Sequence, residues 1–455
     1  MGEKTTVRVL WSSVLVGSLL SCVVCYRLAT QALVLGSLEG GWTYKYLQGF
    51  HFRPTAEILV RVWVLGGLAC LIPLRVVRRH QWWAVFGCLA IGFVAQEQLR
   101  SRSPYRLDQI FVSDGSSSLY SPTQQYSPRM LLAQFNRLRP SLPTHARSNM
   151  PGKLMLVYAL EEVSNSPAVL AWLVVLLSDL GGILLYVFVR DLFADRVVAL
   201  ISFLFYLFVP AKLFFFPVLN TVTPVLVLLV AYLWLRWLRS QTAVYAALLG
   251  VTLYLLIFFE PTPLVMGLLF AAFTVQGVRR TDLRWSTLLT HLGVLAAAFV
   301  LTYVCILASL GFDLIATLRE VAADAVAFNA AYRPYVPWVR RNPVDFMFGV
   351  GVCQALVFAV MTGLAVRRIS VRTGRSIEPI AVLSLALAGV LVATDLIGAN
   401  RGEVVRLWIF LACFFQIPAA YACATLDSRM ATMLVLGTML LQDALGTAMF
   451  NFAQP

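Results

Sequence analysis

The polar residues of this chain fall in a few short groups whose types suit proton transfer and anion binding. Ser113-Asp114-Gly115-Ser116 reads as a turn that exposes a carboxylate, with Tyr120 and Tyr126 close behind. A carboxylate so placed can take a proton from an attacking hydroxyl, a role worth about 10² to 10⁴ in rate. Asp108, next to Arg106, offers the same chemistry, and either acid can instead cap a turn or pair with a neighbouring arginine. Further along, Thr144-His145-Ala146-Arg147-Ser148-Asn149-Met150-Pro151-Gly152-Lys153 sets three kinds of cationic donor around a Pro-Gly turn, a pattern that suits a phosphate group. In Asn400-Arg401-Gly402-Glu403-Val404-Val405-Arg406-Leu407-Trp408, Glu403 and Arg406 share a helix face and can pair, leaving Arg401 or Arg406 to hold an anion. Arg333-Pro334-Tyr335-Val336-Pro337-Trp338 places aromatic rings beside a guanidinium, as a membrane-interface belt does and as a platform for a sugar ring does.

The elements that carry these groups are set by composition. The chain has 455 residues, 60% of them hydrophobic and 13% charged, with a mean hydropathy of +0.79. That is too little polar surface for a water-soluble globule, so the fold expected is all-α and polytopic in a membrane. Apolar stretches of spanning length lie near 9–30, 56–74, 81–96, 166–189, 197–216, 222–236, 242–259, 263–278, 286–309, 347–366, 379–398, 404–424 and 430–450, about thirteen spans in a single membrane domain over 1–455. With a cytoplasmic amino terminus, the short loops on that side hold seventeen Lys and Arg, among them Arg75, Arg78, Arg79, Arg280, Arg372 and Arg375, against four opposite. This is a strong positive-inside bias. It puts both long polar segments, 96–165 and 311–346, on the outer face of a cytoplasmic membrane, along with the Asn400–Arg406 turn.

The formal charge of +14 is spread in clusters between apolar runs, as topology signals are, and gives no reason to expect nucleic acid. All eight cysteines fall within apolar runs, so neither a disulfide framework nor a zinc site is expected. In the outer segments, Met130, Leu131, Leu132, Phe135 and Leu138 recur at helical spacing, as do Leu318, Val321, Ala322, Ala325 and Phe328. Each set predicts an amphipathic helix along the membrane surface, while Pro104, Pro122, Pro128, Pro140, Pro143 and Pro151 forbid one continuous helix in the first segment. Asp179 and Asp395, inside predicted spans, need partners. His51 and Glu260 read as lone outer residues without an assigned role.

Together these motifs resemble the GT-C superfamily of integral-membrane glycosyltransferases, and more narrowly bacterial mannosyltransferase-like members. Those carry a His-Pro-Pro-Gly turn in the outer loop, an Arg-Pro-Tyr-x-Pro-Trp segment and a Gly-Glu-Val-x-Arg-x-Trp motif. The matching residues are Asn149-Met150-Pro151-Gly152, Arg333-Pro334-Tyr335-Val336-Pro337-Trp338 and Gly402-Glu403-Val404-Val405-Arg406-Leu407-Trp408. The first departs from the pattern, with Asn149-Met150 where the family has His-Pro. The resemblance implies a polyprenyl-phosphate sugar as donor, a lipid, glycan or protein of the cell envelope as acceptor, and a carboxylate base in the first outer loop. Asp114 is the best match for that base, with Asp108 as the alternative. Arg406 or Arg401, with Lys153 or Arg147 and with His145, would hold the donor phosphate. Glu403, Tyr120, Tyr335, Trp338 and Asn149 would support the substrates. No cofactor is required, and a divalent metal is not indicated. A flippase for lipid-linked sugars and an inactive assembly scaffold are the competing readings.

Overall fold

The computed structural model describes residues 3–48, 52–71, 79–101, 103–279, 283–371, 377–453 and 455. Of the residues used above, His51, Arg75, Arg78, Arg280, Arg372 and Arg375 lie outside these. The described chain is almost wholly α-helical, the one sheet being a two-stranded ribbon, Gly36–Ser37 with Trp42–Thr43. Nine of its helices are long and apolar enough to cross a membrane, among them Lys4–Ala29, Pro167–Phe193, Trp285–Leu310 and Arg429–Met449. The other four stretches expected to span are also helices, Phe52–Cys70, Gln81–Arg100, Ala243–Phe259 and Ile409–Thr425. The last two have 17 residues each, so at 1.5 Å per residue they reach about 25 Å, short of a hydrocarbon core of about 30 Å.

Polar side chains and prolines mark where the helices begin. Asp195 accepts hydrogen bonds from the amides of Val197 and Val198, Asp313 from those of Ile315 and Ala316, and Ser127 from that of Met130 with Pro128 at the first helical position. The amino-terminal helix Glu3–Ala29 packs against Val352–Val371 and Arg429–Met449, and Pro167–Phe193 packs against Arg196–Leu207 and Thr223–Ser240. One large apolar core runs through these helices.

A second core lies beneath the first long polar segment. Phe111, Leu119, Leu131, Phe135, Leu142, Met150 and Leu154 are buried there against Leu219, Tyr254, Phe259 and Phe312. That segment is therefore a folded cap of short helices, Leu107–Val112, Tyr120–Gln125, Pro128–Ala133, Phe135–Leu138, Thr144–Ser148 and Gly152–Glu161. The single amphipathic helix expected over 129–138 is broken at Gln134, whose φ of −118° and ψ of 20° are not helical. Leu131, Leu132 and Phe135 face the core as their spacing predicts, whereas Met130 is exposed. The second segment forms the helix Leu314–Tyr332, which buries Leu314, Thr317 and Val321 and ends at Arg333. Arg139 ties the two segments together by pairing with Glu320 at 3.3 Å and Asp324 at 2.7 Å.

Candidate functional site

Three pieces of chain far apart in sequence meet at the inner side of this cap. The first enters at the Pro151-Gly152 turn. A Cβ on Gly152 would lie 2.5 Å from the carbonyl oxygen of Phe258, so only glycine lets the helix Gly152–Glu161 start this close to the end of Ala243–Phe259. That approach brings Lys153 to Glu260, with Nζ 2.8 Å from Oε2 and only 3% and 6% of the two side chains exposed. Burial lowers the Lys153 pKa, and the Glu260 carboxylate opposes that fall. Glu260 also accepts from Thr223 Oγ1 at 2.5 Å and from Asn220 Nδ2 at 3.4 Å.

The second piece is the Gly402-Glu403 step. Both residues are in the left-handed region, with φ of 78° and 56°. For a glutamate this conformation is strained by about 1 to 3 kcal/mol and persists only where the surroundings enforce it. Here the enforcement is visible. The Glu403 carbonyl accepts from the amides of Arg406 and Leu407 and so starts the short helix Val404–Leu407. Its carboxylate lies between two guanidinium groups, 2.6 Å from Arg406 Nη2 and 3.2 Å from Arg333 Nη2. Burial works against the charge on Glu403, but Arg406 and Arg333 outweigh it and hold the carboxyl below its usual range. A Cβ on Gly402 would lie 2.5 Å from Arg333 Nη1 and 2.8 Å from the Trp338 ring.

The third piece holds Arg333. Its guanidinium lies 4.9 Å from the Trp42 ring centre and 5.1 Å from that of Trp338, which is fully buried. Such stacking stabilises a guanidinium removed from water. Arg401 is committed elsewhere. It donates to the carbonyls of Gly398 and Arg333 at 3.1 and 3.0 Å and lies 5.1 Å over the Tyr335 ring, whose hydroxyl donates to the carbonyl of Leu396.

His145 joins the first and second pieces. Its Nε2 is 3.3 Å from Arg406 Nη1 and 3.2 Å from the carbonyl oxygen of Gly115. Burial, reinforced by the Arg406 charge, pushes the imidazole down to about 4, so the ring is neutral at pH 7. A neutral Nε2 serves one partner at a time: protonated it donates to Gly115, unprotonated it accepts from Arg406. Asn149 donates to the His145 carbonyl at 2.8 Å and accepts from Lys153 at 3.4 Å.

Between these groups is a cavity of about 20 Å³ lined by His145, Asn149, Lys153, Asn220, Arg406 and the Ser116-Ser117 backbone turn. That is room for about one water. Ser117 Oγ, Arg406 Nε and Arg333 Nη1 are buried nearby without a hydrogen-bond partner among the described residues. Three cations, Arg333, Arg406 and Lys153, stand against two carboxylates, Glu403 and Glu260. The local field thus favours an anion, and the two arginines present directional donors suited to phosphate. Among the described residues no three His, Cys, Asp or Glu side chains are grouped to hold a metal ion.

Some residues singled out from the sequence stand apart from this cavity. Asp114 is exposed, its Oδ1 accepting from Ser121 Oγ at 2.5 Å, and it adjoins Gly115, whose carbonyl meets His145. Asp108 is held by Arg106 through two bonds of 2.8 and 3.1 Å and lines a different cavity. Arg147 is exposed, and its carbonyl accepts from Arg139 at 3.4 Å. Tyr120 packs against Phe111 in the core of the cap, 5.7 Å between ring centres with the rings tilted at 55°. Sequence reasoning missed Glu260, expected to stand alone, and also Asn220, Ser117 and Trp42. The one signal for Glu260 was an acid followed by proline at the end of an apolar run.

The chain matches no protein-family model, and no curated protein matches it significantly.

Proposed function

We propose that this multi-pass membrane protein is an inverting glycosyltransferase that takes its sugar from a polyprenyl phosphate and works at the outer face of a cytoplasmic membrane. The observation that carries the reading is the meeting of His145, Lys153 and Arg406, from two distant stretches of chain, around one buried cation-rich cavity. A polyprenyl-phosphate sugar is a phosphodiester whose polyprenyl phosphate leaves as a monoester with an added negative charge while its tail stays in lipid, so the reaction calls for such a site at the membrane boundary. In the proposed reaction an acceptor hydroxyl oxygen bonds to the anomeric carbon as the bond from that carbon to the phosphate oxygen breaks. The electron pair departs with the polyprenyl phosphate, and the hydroxyl proton passes to a carboxylate.

Arg406 and Lys153 would stabilise the departing phosphate, an electrostatic contribution of about 2.7 to 4 kcal/mol by analogy with one oxyanion donor. Asp114 is preferred to Asp108 as the base because Asp108 is already neutralised by Arg106. A cavity of about 20 Å³ is too small for a sugar phosphate. In this reading the cavity opens to admit substrate, and the turn that carries Asp114 is one of its walls, through Ser116 and Ser117 and the Gly115 carbonyl that meets His145. The acceptor in this reading is a lipid, glycan or protein of the envelope, and no cofactor is invoked.

The carrier reading keeps one observation on its side. Asp179 and Lys212 form a 2.6 Å ion pair with neither side chain exposed, inside helices long enough to span, and charges at that depth often belong to transport pathways. Incubation of the purified protein with radiolabelled polyprenyl-phosphate monosaccharides and envelope extracts separates the two. Label transferred by the natural protein and lost in Arg406→Ala and Asp114→Ala supports the transferase. Donor moved across vesicle membranes with no product formed overturns it.

A further inference from the structure

Another cavity, of about 310 Å³, lies beside the first helix of the cap, Leu107–Val112. It is formed where the helix Gln81–Arg100 ends and Pro167–Phe193 begins, and its walls include Arg100, Tyr105, Arg106, Asp108 and Trp172. Its distinctive group is Arg100. Two nitrogens of that guanidinium, Nε and Nη2, are buried and have no hydrogen-bond partner among the described residues. Unmet guanidinium donors are expensive to leave buried, and an anion that accepts from both would satisfy them.

The neighbouring charges say which kind of anion. Arg106 and Asp108 neutralise one another through their paired bonds, leaving Arg100 and the exposed Glu97 in the wall. Among the described residues that leaves one cation facing one acid, so a second negative charge on the ligand would double the attraction to Arg100 and the repulsion from Glu97 alike, while its desolvation cost rises with the square of the charge; a single negative charge suits the site better. The cavity's size is that of a ligand site, and Ala168 and Trp172 give it an apolar side at the mouth of a spanning helix. Trp172 rests on Phe93, 5.1 Å between ring centres, which fixes that side.

We propose that this cavity binds a phosphodiester of single negative charge, with Arg100 as its principal ligand, at the membrane boundary. The site shares no lining residue with the Arg406 cavity, and the proposal stands whether or not the protein transfers sugars. A phosphodiester can come from a lipid head group or from a soluble ester, and the shared chemistry is the same.

The test is calorimetric titration of the purified full-length protein, in phosphate-free detergent, with dihexanoylphosphatidylglycerol, dimethyl phosphate and inorganic phosphate in turn. Binding of the lipid that weakens at least tenfold in Arg100→Gln, and is unchanged in the exposed-surface control Arg319→Gln, supports the proposal with a lipid as the source. Dimethyl phosphate binding as tightly as the lipid supports it with a soluble source. A preference for inorganic phosphate, or lipid binding indifferent to Arg100→Gln, overturns it. Should Arg100→Gln fail to fold, the unaltered protein still decides. Phenylglyoxal labelling read by peptide mass spectrometry is expected to slow severalfold at Arg100 when the lipid is present, and equal labelling with and without lipid overturns the proposal.

Discussion

Lys153 Nζ and Glu260 Oε2 are 2.8 Å apart and almost wholly buried, joining the base of the cap to the end of the apolar helix Ala243–Phe259. Removing water from both charges makes the pair weak as a source of stability, but breaking it leaves one charge buried alone. Glu260→Ala is therefore expected to destabilise the protein by about 3 to 5 kcal/mol, whereas the double change Lys153→Met with Glu260→Leu is expected to be near neutral. Thermal unfolding in detergent of the single and double variants measures this. A double variant as unstable as the single one would show that the pair stabilises through its own attraction. Under the transferase reading the double variant is folded and inactive, since Lys153 lines the cavity.

Gly402 tests the left-handed step. Its φ is 78°, and an added Cβ would press on Arg333 Nη1 and the Trp338 ring. Gly402→Ala is expected to lose about 1 to 3 kcal/mol from backbone strain and to separate Arg333 from Glu403. Unfolding midpoints measure the first effect. A variant as stable as the natural protein would mean that the turn can relax to another conformation.

The residues most legible in the sequence were those whose partners are close along the chain. Glu403 and Arg406 are three residues apart, and the structure pairs them, although Glu403 is the left-handed residue before the short helix and not part of a shared helix face. The spanning helices were legible too, because each is a continuous apolar run. Their count was less so, since Ala243–Phe259 and Ile409–Thr425, at 17 residues each, are short for a membrane. The link between His145 and Arg406 left no trace in spacing, because it depends on how the cap folds over the helix ends. Glu260 was illegible for the same reason: a single acid at the end of a run has no periodic partner, and its lysine comes from the preceding polar segment. Asp179 did need a partner, but nothing along the chain distinguished Lys212 from a snorkelling lysine.

Two site groups make stability depend on pH in the same direction. His145 has its pKa pushed from 6.5 down to about 4 in the folded protein, chiefly by burial and then by Arg406. The unfolded chain therefore binds a proton that the folded one refuses as pH falls from 6.5 to about 4, so this contribution is full above pH 6.5 and lost across that window. Glu403, also depressed, adds a loss that begins as pH drops through the unfolded carboxylate range. The unfolding midpoint is expected to fall between pH 7 and pH 5, and His145→Asn is expected to flatten that fall. An unchanged pH profile in His145→Asn would locate the titrating group elsewhere.

Arg406 discriminates between charge and geometry at the proposed phosphate site. Its guanidinium spans Glu403 through Nη2 and His145 through Nη1, while Nε is left without a partner among the described residues. Arg406→Lys keeps the charge but cannot contact both neighbours and a phosphate in the same plane. If the planar fork stabilises a departing phosphate, the lysine variant is expected to lose about 10²- to 10³-fold in turnover while donor affinity changes less, because the ground-state attraction is mostly charge. Steady-state kinetics with a polyprenyl-phosphate sugar separate the two constants. Equal losses in affinity and turnover would assign Arg406 to general binding, and full activity would remove it from the reaction.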